Sequence, residues 1–247
     1  LCDVRGLALV EDCAQALGAS FAGAPVGTVG DAAAFSFCQD KIMTTGGEGG
    51  MLVTRDADLW ERCWSYKDHG KTVRALDAEN SAPAPGFRWL HERFGTNWRM
   101  TEMQAAIGST ALSKVPGWVE TRRAHAAALD DAFAAMPALR RPAPPAEAYH
   151  ACYRHYAYVR PEALADGWDR ERIAAAVMAE GVPCGVGSCP EIYLEEAFEG
   201  VRPAERLAVA RELGETSLAF LVHPTLTGAD VADTAEAVAK VMAVASR

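Results

Sequence analysis

Short apolar runs, separated by clusters of glycine, proline and aspartate, set the rhythm of this chain. Leu7-Ala8-Leu9-Val10 reads as a buried parallel strand that ends in the polar pair Glu11-Asp12. Ala32 to Phe37 and Met51 to Thr54 predict two more strands, with the turn-rich stretch Thr44 to Gly50 between them. Asp56 can cap a helix that carries Trp60, Cys63 and Trp64 on one face and stops near Gly70, with the two tryptophans expected in the core. Residues 77 to 86, rich in Pro, Ala and Asp, predict a loop. Thr101 and Gln104 have capping-box spacing, and the helix they open is expected to bury Met103, Ile107 and Leu112. Pro116-Gly117 interrupts it, and a second helix is expected from Trp118 to Met136.

Pro142, Pro144 and Pro145 mark a linker, so the expected domains are 1–140 and 141–247. Beyond the linker, strand and helix alternate. His155 to Val159, Val182 to Val186 and Leu218 to Val222 read as strands. Asp169 can cap a helix that Gly181 stops, Arg206 to Leu213 reads as helical, and a last helix starts near Thr227 with Val231, Val238 and Met242 inward.

Composition narrows the function classes. The 247 residues allow one large domain or two modest ones. A net charge of −9 offers no basic face, which argues against nucleic acid as a partner. No run of about eighteen apolar residues is present, so no membrane span is expected, and no signal peptide is visible. The seven cysteines are scattered without zinc-site spacing, so no metal is expected and most should be buried free thiols in a reducing cytoplasm. The chain starts at Leu1, not methionine, and its first strand follows at once; this raises the expectation of a fragment.

The candidate chemistry centres on Phe35-Ser36-Phe37-Cys38-Gln39-Asp40-Lys41. A lysine just beyond a strand and before a glycine-rich turn can reach into a cleft at a sheet edge, where its amine can anchor an aldehyde cofactor and later carry a proton. Alone, Lys41 reads as a solvated loop residue. Asp12, at the end of a neighbouring strand, adds a carboxylate of the kind that keeps a pyridine nitrogen protonated. Ser36, five residues before Lys41, adds a hydroxyl for a phosphate. Separately these two read as a strand-end cap and a strand hydroxyl; jointly they point to pyridoxal phosphate (PLP).

The segments Val10 to Ala19, Phe35 to Lys41, Thr44 to Gly50, Asp68-His69-Gly70, Asn97 to Ala106 and Leu221 to Pro224 resemble, in order, the DegT/DnrJ/StrS family of sugar aminotransferases. The resemblance implies an α/β fold of the fold-type-I PLP class. Residues 1–140 would be the remaining part of a large domain built on a mixed sheet, and 141–247 a small α/β domain. It makes Lys41 the Schiff-base lysine, Asp12 the ring-nitrogen partner and Ser36 a phosphate ligand. Gln15 would bond the ring's phenolic oxygen, and Asn97 would reach the phosphate of a neighbouring subunit in a homodimer with shared active sites. Gln15 also reads as a surface residue at a helix start, and Asn97 as a turn former.

His150 and Tyr153 sit where the family often places a histidine near substrate, although His150 also reads as a structural histidine. His69 is expected to bond locally at a helix end, and Cys189 lacks a nearby histidine partner for a nucleophile's role.

The implied reaction moves an amino group, from glutamate, to a nucleotide-linked keto sugar for polysaccharide, lipopolysaccharide or antibiotic-sugar synthesis in the cytoplasm. Relatives with histidine at the lysine position are dehydratases, and Lys41 argues against that branch. Two alternatives stand: a non-catalytic or incomplete fragment that needs a separate N-terminal segment, and another PLP enzyme such as a lyase. The family's usual segment before the Glu-Asp strand is absent here, and the stretch between His69 and Asn97 is long. Its Pro83, Pro85, Phe87 and Trp89 suit either a substrate or interface loop or a plain surface insertion.

Overall fold

The computed structural model describes residues 1–81 and 90–247. It forms two compact units, Leu1–Pro116 and Gly117–Arg247. They divide where the sequence places its helix break and not in the proline-rich stretch after residue 140.

The first unit opens with a one-turn helix α1 (Cys2–Arg5), then strand β1 (Val10–Asp12), a hairpin of β2 (Ser20–Phe21) and β3 (Ala24–Pro25), and strands β4 (Ala32–Ser36) and β5 (Gly50–Thr54). β1 and β4 run parallel, with Val10 opposite Ala32 and Asp12 opposite Ala34. β4 and β5 run antiparallel, with Ser36 opposite Gly50. The sheet β1-β4-β5 is therefore mixed. β1 begins only at Val10, because the ladder with β4 starts there. Leu9 instead meets the turn before β4, its carbonyl accepting from the Asp31 N–H at 2.8 Å.

Four helices complete this part of the chain: α2 (Ala57–Lys67), α3 (Val73–Ser81), α4 (Glu102–Leu112) and α5 (Val115–Phe133), the last running on into the second unit. Asp56 caps α2, its Oδ1 accepting from the Asp58 and Leu59 N–H groups at 2.9 and 3.0 Å. Trp60 and Trp64 stack at 6.4 Å, but Trp60 is 46% exposed, so the expected burial of the pair in the core does not hold. Both line an open cleft of about 1230 Å³ beside β5, with Met51, Leu52, Tyr66 and Trp98.

The expected loop at 77–86 is helical through Ser81. Thr72 Oγ1 accepts the Ala75 N–H at 3.2 Å and helps start the turn of α3 that runs into it. The rest of that stretch, with Pro83, Pro85, Phe87 and Trp89, lies outside the described residues.

The capping box of Thr101 and Gln104 forms in both halves. The face it was expected to bury does not: Met103 and Leu112 are exposed, and so is Ile107. α4 packs through Gly108 and Ala111 instead. A Cβ at Gly108 would stand 2.9 Å from Thr45 Cγ2, so this close approach admits only small residues and turns the large ones outward.

The second unit adds β6 (Leu139–Arg140), β7 (Ala148–Tyr149), β8 (His155–Val159), α6 (Arg170–Ala179), β9 (Cys184–Gly185), α7 (Ala208–Thr216), β10 (Ser217–Phe220) and α8 (Gly228–Ala245). Its sheet has the order β6-β8-β10-β9, with antiparallel neighbours. β8 buries alternate residues, His155, Ala157 and Val159, with the period of a strand. β10 is buried throughout. Phe133 meets Phe220 edge-on at 5.2 Å. Fully burying such a side chain contributes about 1.5–3 kcal/mol. Asp169 caps α6, Thr227 and Asp230 form a second capping box, and Val231, Val238 and Met242 point into the core as their spacing predicts.

All seven cysteines are free thiols, but only Cys13 and Cys184 are buried, so the expectation of mostly buried thiols does not hold. Burial raises the Cys184 thiol to about 11. Among the described residues, no helix is long and apolar enough to cross a membrane.

Candidate active site

Parallel pairing of β1 and β4 brings their C-terminal ends to one edge of the sheet, the side where open α/β sheets place ligands. Asp12 ends β1, and Ser36, two residues beyond its partner Ala34, ends β4. Strand rise and spacing put their Cα atoms roughly 8 Å apart. Asp12 is exposed, and its Oδ1 accepts the Ala14 N–H at 3.0 Å, which bends the chain into the turn that carries Gln15. Gln15 is exposed on that turn, so it is not part of a helix. Ser36 is half-buried, and its Oγ accepts weakly from the Cys38 N–H at 3.4 Å.

Lys41 follows in the turn between β4 and β5, half-buried, with its N–H donating to the Cys38 carbonyl at 3.1 Å. Thr44 Oγ1 accepts from Gly46 and Gly47, whose φ values of 86° and 149° few other residues adopt. Thr45 is buried and donates to the Glu48 carbonyl at 2.9 Å; Gln104 donates to that same carbonyl at 2.7 Å. The glycine turn is thus held by its own Thr45 and by Gln104 of α4. It supports Lys41 rather than leaving it on a loose loop.

Glu11, in sequence only one half of a polar pair at a strand end, has a structural role of its own. It points to the opposite face of β1 from Asp12. Its carboxylate accepts from the N–H groups of Gly27, Val29 and Gly30 at 2.7 to 2.8 Å. The Gly30 and Gly27 bonds lower its pKa. This fixes the loop that leads into β4. The signal was present as an acidic pair at a strand end facing two later glycines, but strand alternation alone does not reveal the partners.

Asn97 stands on a different segment, where residues 91–98 run alongside 66–71. Asp68 and Asn97 form a bridge, and Asn97 Oδ1 accepts the Arg99 N–H at 3.3 Å. Asn97 is exposed. Behind it the buried Asp68 carboxylate gathers Arg99 at 3.0 Å, Lys67 at 3.3 Å and Lys71 at 3.5 Å. Burial works to raise the Asp68 pKa, but these cations prevail and hold it low. Arg99 and Asp68 belong to the motifs noted in sequence, yet their pairing across 31 residues is a tertiary feature.

His150 and Tyr153 lie in the second unit, on the turn before β8. Tyr153 is 8% exposed. The structure brings Asp12, Gln15, Ser36 and Lys41 to one edge of the first sheet, and places Asn97, His150 and Tyr153 on other segments.

The residues at that edge fit PLP as a donor set. They comprise a carboxylate for a protonated ring nitrogen, an amide for the phenolic oxygen, a hydroxyl for the phosphate and an amine for the aldehyde.

The chain is similar to known proteins in sequence and fold. The model of the DegT/DnrJ/EryC1/StrS aminotransferase family, a PLP-dependent family, matches residues 1–239. A solved aminotransferase from Psychrobacter cryohalolentis superposes with a TM-score of 0.91 at 49% identity, covering 98% of this chain and 63% of that one. GDP-perosamine synthase of Escherichia coli O157:H7 is 39% identical over 48% of this chain and 29% of its own length. L-glutamine:2-deoxy-scyllo-inosose aminotransferase of Streptomyces fradiae is 37% identical over 71% of this chain and 41% of its own. The chain thus spans less than two thirds of the length of these relatives. The family model covers nearly the whole chain, and the chain belongs to the DegT/DnrJ/EryC1/StrS aminotransferase family.

Proposed function

We propose that this chain carries the cofactor-binding machinery of an aminotransferase that moves an amino group from glutamate to a keto sugar joined to a nucleotide diphosphate. The observation that carries this reading is the shared sheet edge of Asp12 and Ser36, with Lys41 held beside it. When bound, PLP supplies an electron sink for charge at the donor's α-carbon. Asp12 keeps the proton on the ring nitrogen, Ser36 holds the phosphate and Gln15 bonds the phenolic oxygen. Lys41 Nζ links the cofactor covalently between turnovers and moves a proton at the donor's α-carbon. Asn97 contributes to the phosphate of a second copy in a homodimer, and His150 and Tyr153 recognise the acceptor. The product would feed polysaccharide, lipopolysaccharide or antibiotic-sugar synthesis in the cytoplasm.

The relatives' names support both the acceptor class and a wider assay. One is a GDP-sugar synthase; the other names L-glutamine as donor and an inosose as acceptor. The test incubates PLP-loaded protein with glutamate or glutamine and a panel of nucleotide keto sugars plus scyllo-inosose, with products read by mass spectrometry. An aminated nucleotide sugar that disappears in Lys41→Ala supports the reading. Amination of scyllo-inosose alone overturns the acceptor class.

A second reading is that activity needs further polypeptide of the same fold. The open cleft beside β5, with Met51, Leu52 and Trp60 exposed, favours it. Activity that appears only when the relatives' additional segment is fused or added in trans supports this reading, and full activity of the 247-residue chain alone contradicts it.

A further inference from the structure

Among the described residues β5 ends its sheet, whose order is β1-β4-β5. In an antiparallel ladder, one bond fixes the direction of every backbone group, because hydrogen-bonded and non-hydrogen-bonded pairs alternate. The Phe37 N–H donates to the Gly49 carbonyl at 2.8 Å, one step beyond the pairing of Ser36 with Gly50. Phe37 and Gly49 therefore form a hydrogen-bonded pair, and so do Phe35 with Met51 and Ala33 with Val53. Met51 and Val53 turn their N–H and C=O groups towards β4. Gly50, Leu52 and Thr54 turn theirs towards the open edge. The Ala34 carbonyl, opposite Leu52, accordingly points away from β5 and accepts the Cys13 N–H at 2.8 Å.

The cleft beside β5 follows this edge and belongs wholly to the first unit. Gly50, Met51 and Leu52 all line it. Successive strand residues face opposite sides of a sheet, so a cleft that touches all three runs along the strand's flank and not over one face. Met51, Leu52, Trp60, Tyr66, Phe94 and Trp98 expose apolar surface to it. Edge strands are commonly guarded by charge or proline, and Gly50–Thr54 carries neither.

The charge of the cleft is one-sided. Its lining includes Arg62, Lys67, Arg93 and Arg99 but no carboxylate, in a chain of net charge −9. Asp68 pairs with Lys67 and Arg99 from behind. Arg62 and Arg93 have no ion pair among the described residues. A second copy docked here would set like charges against each other, whereas an acidic partner would be drawn in.

We propose that the open edge of β5 takes an extended polypeptide strand with acidic flanks. The strand pairs with Gly50, Leu52 and Thr54, sends alternate apolar side chains into the cleft and sets its carboxylates on Arg62 and Arg93. In such strand addition the main-chain bonds give affinity and the side-chain pockets give specificity. This supplies a surface and a chemistry for the second reading above and rests on that reading only for its link to activity, because binding is read without turnover.

The experiment titrates the 15N-labelled 247-residue chain with synthetic seven-residue peptides of alternating valine and threonine, ended by aspartate or by lysine. Without peptide, amide exchange should be slow at Met51 and Val53 and fast at Leu52 and Thr54. The aspartate-ended peptide should slow exchange at Leu52 and Thr54 and bind about tenfold more tightly than the lysine-ended one. Arg62→Glu combined with Arg93→Glu should reverse that preference. Leu52→Pro removes an N–H that faces outward, a change that edge strands tolerate, so the variant should stay folded and lose the peptide.

The proposal is overturned if neither peptide binds at millimolar concentration, if both bind equally, or if folded Leu52→Pro binds as the wild type does. Slow exchange at Leu52 and Thr54 without peptide, increasing with protein concentration, would show a second copy on the edge and also overturns it. If Leu52→Pro does not fold, an aspartate-ended peptide N-methylated along its length decides: lost binding supports strand pairing, and equal binding contradicts it. If the strand binds as described but no amino transfer occurs under any condition, the functional reading fails and the strand site stands.

Discussion

Gln104 donates its side-chain N–H to the Glu48 carbonyl at 2.7 Å, so the residue that closes the capping box of α4 also holds the glycine turn that follows Lys41. One side chain thus serves a helix start and the glycine turn at once. A glutamate would close the box equally well, but it has no proton for the Glu48 carbonyl and would set a negative charge against it. Gln104→Glu should therefore destabilise the protein by about 1–3 kcal/mol, read as a lower urea midpoint. An unchanged or raised midpoint would mean that only the local capping rule matters here.

Asp12→Asn keeps the shape of the side chain and its bond to Ala14 but removes the charge proposed to hold a proton on the ring nitrogen. Each unit lost from that nitrogen's pKa corresponds to about 1.4 kcal/mol. Turnover should fall by orders of magnitude while PLP still binds, measured by cofactor titration beside steady-state assays. Equal rates in variant and wild type would remove Asp12 from this role.

The strand ends, the glycine turn and the capping box at the candidate site were legible in the sequence because they depend on short local patterns. A polar residue at a strand end, a lysine before a glycine turn and a capping box each fit within a few residues. What was not legible depends on which faces meet. Met103, Ile107 and Leu112 have the spacing of a buried stripe, yet α4 packs through Gly108 and Ala111 because Thr45 comes too close for anything larger. Trp60 and Trp64 likewise read as core, but they line an open cleft. The links from Glu11 to the 27–30 loop and from Asp68 to Arg99 join residues far apart in sequence, and no local signal pairs them.

Gly70 lies at φ +79°, and a Cβ there would collide with the Arg93 carbonyl oxygen. The partner is backbone and cannot swing aside, so Gly70→Ala must push apart the two segments that carry Asp68 and Asn97. The expected loss is roughly 2–4 kcal/mol, seen as a lower melting temperature with weaker PLP retention. A variant as stable as the wild type would show that the two segments are not closely packed in solution.

Glu191 is held at a pKa of about 2, first by the hydrogen bond from Arg206, with burial opposing and Tyr193 assisting. Its folded pKa lies below the unfolded value near 4.5. Its contribution is therefore complete above about pH 4.5 and is lost as pH falls towards 2. Glu191→Gln should be less stable than wild type at pH 7, and the gap should narrow between pH 4.5 and 3. Urea midpoints at pH 7 and pH 3.5 check this, and an equal gap at both would contradict the ion pair with Arg206.

The covalent role of Lys41 is tested most directly by reducing the PLP-loaded protein with borohydride and mapping the labelled peptide. The cofactor should be found on the peptide that contains Lys41, and Lys41→Ala should carry none. Label on Lys67, Lys71, Lys114 or Lys240 in place of Lys41 would contradict the assignment of the active site.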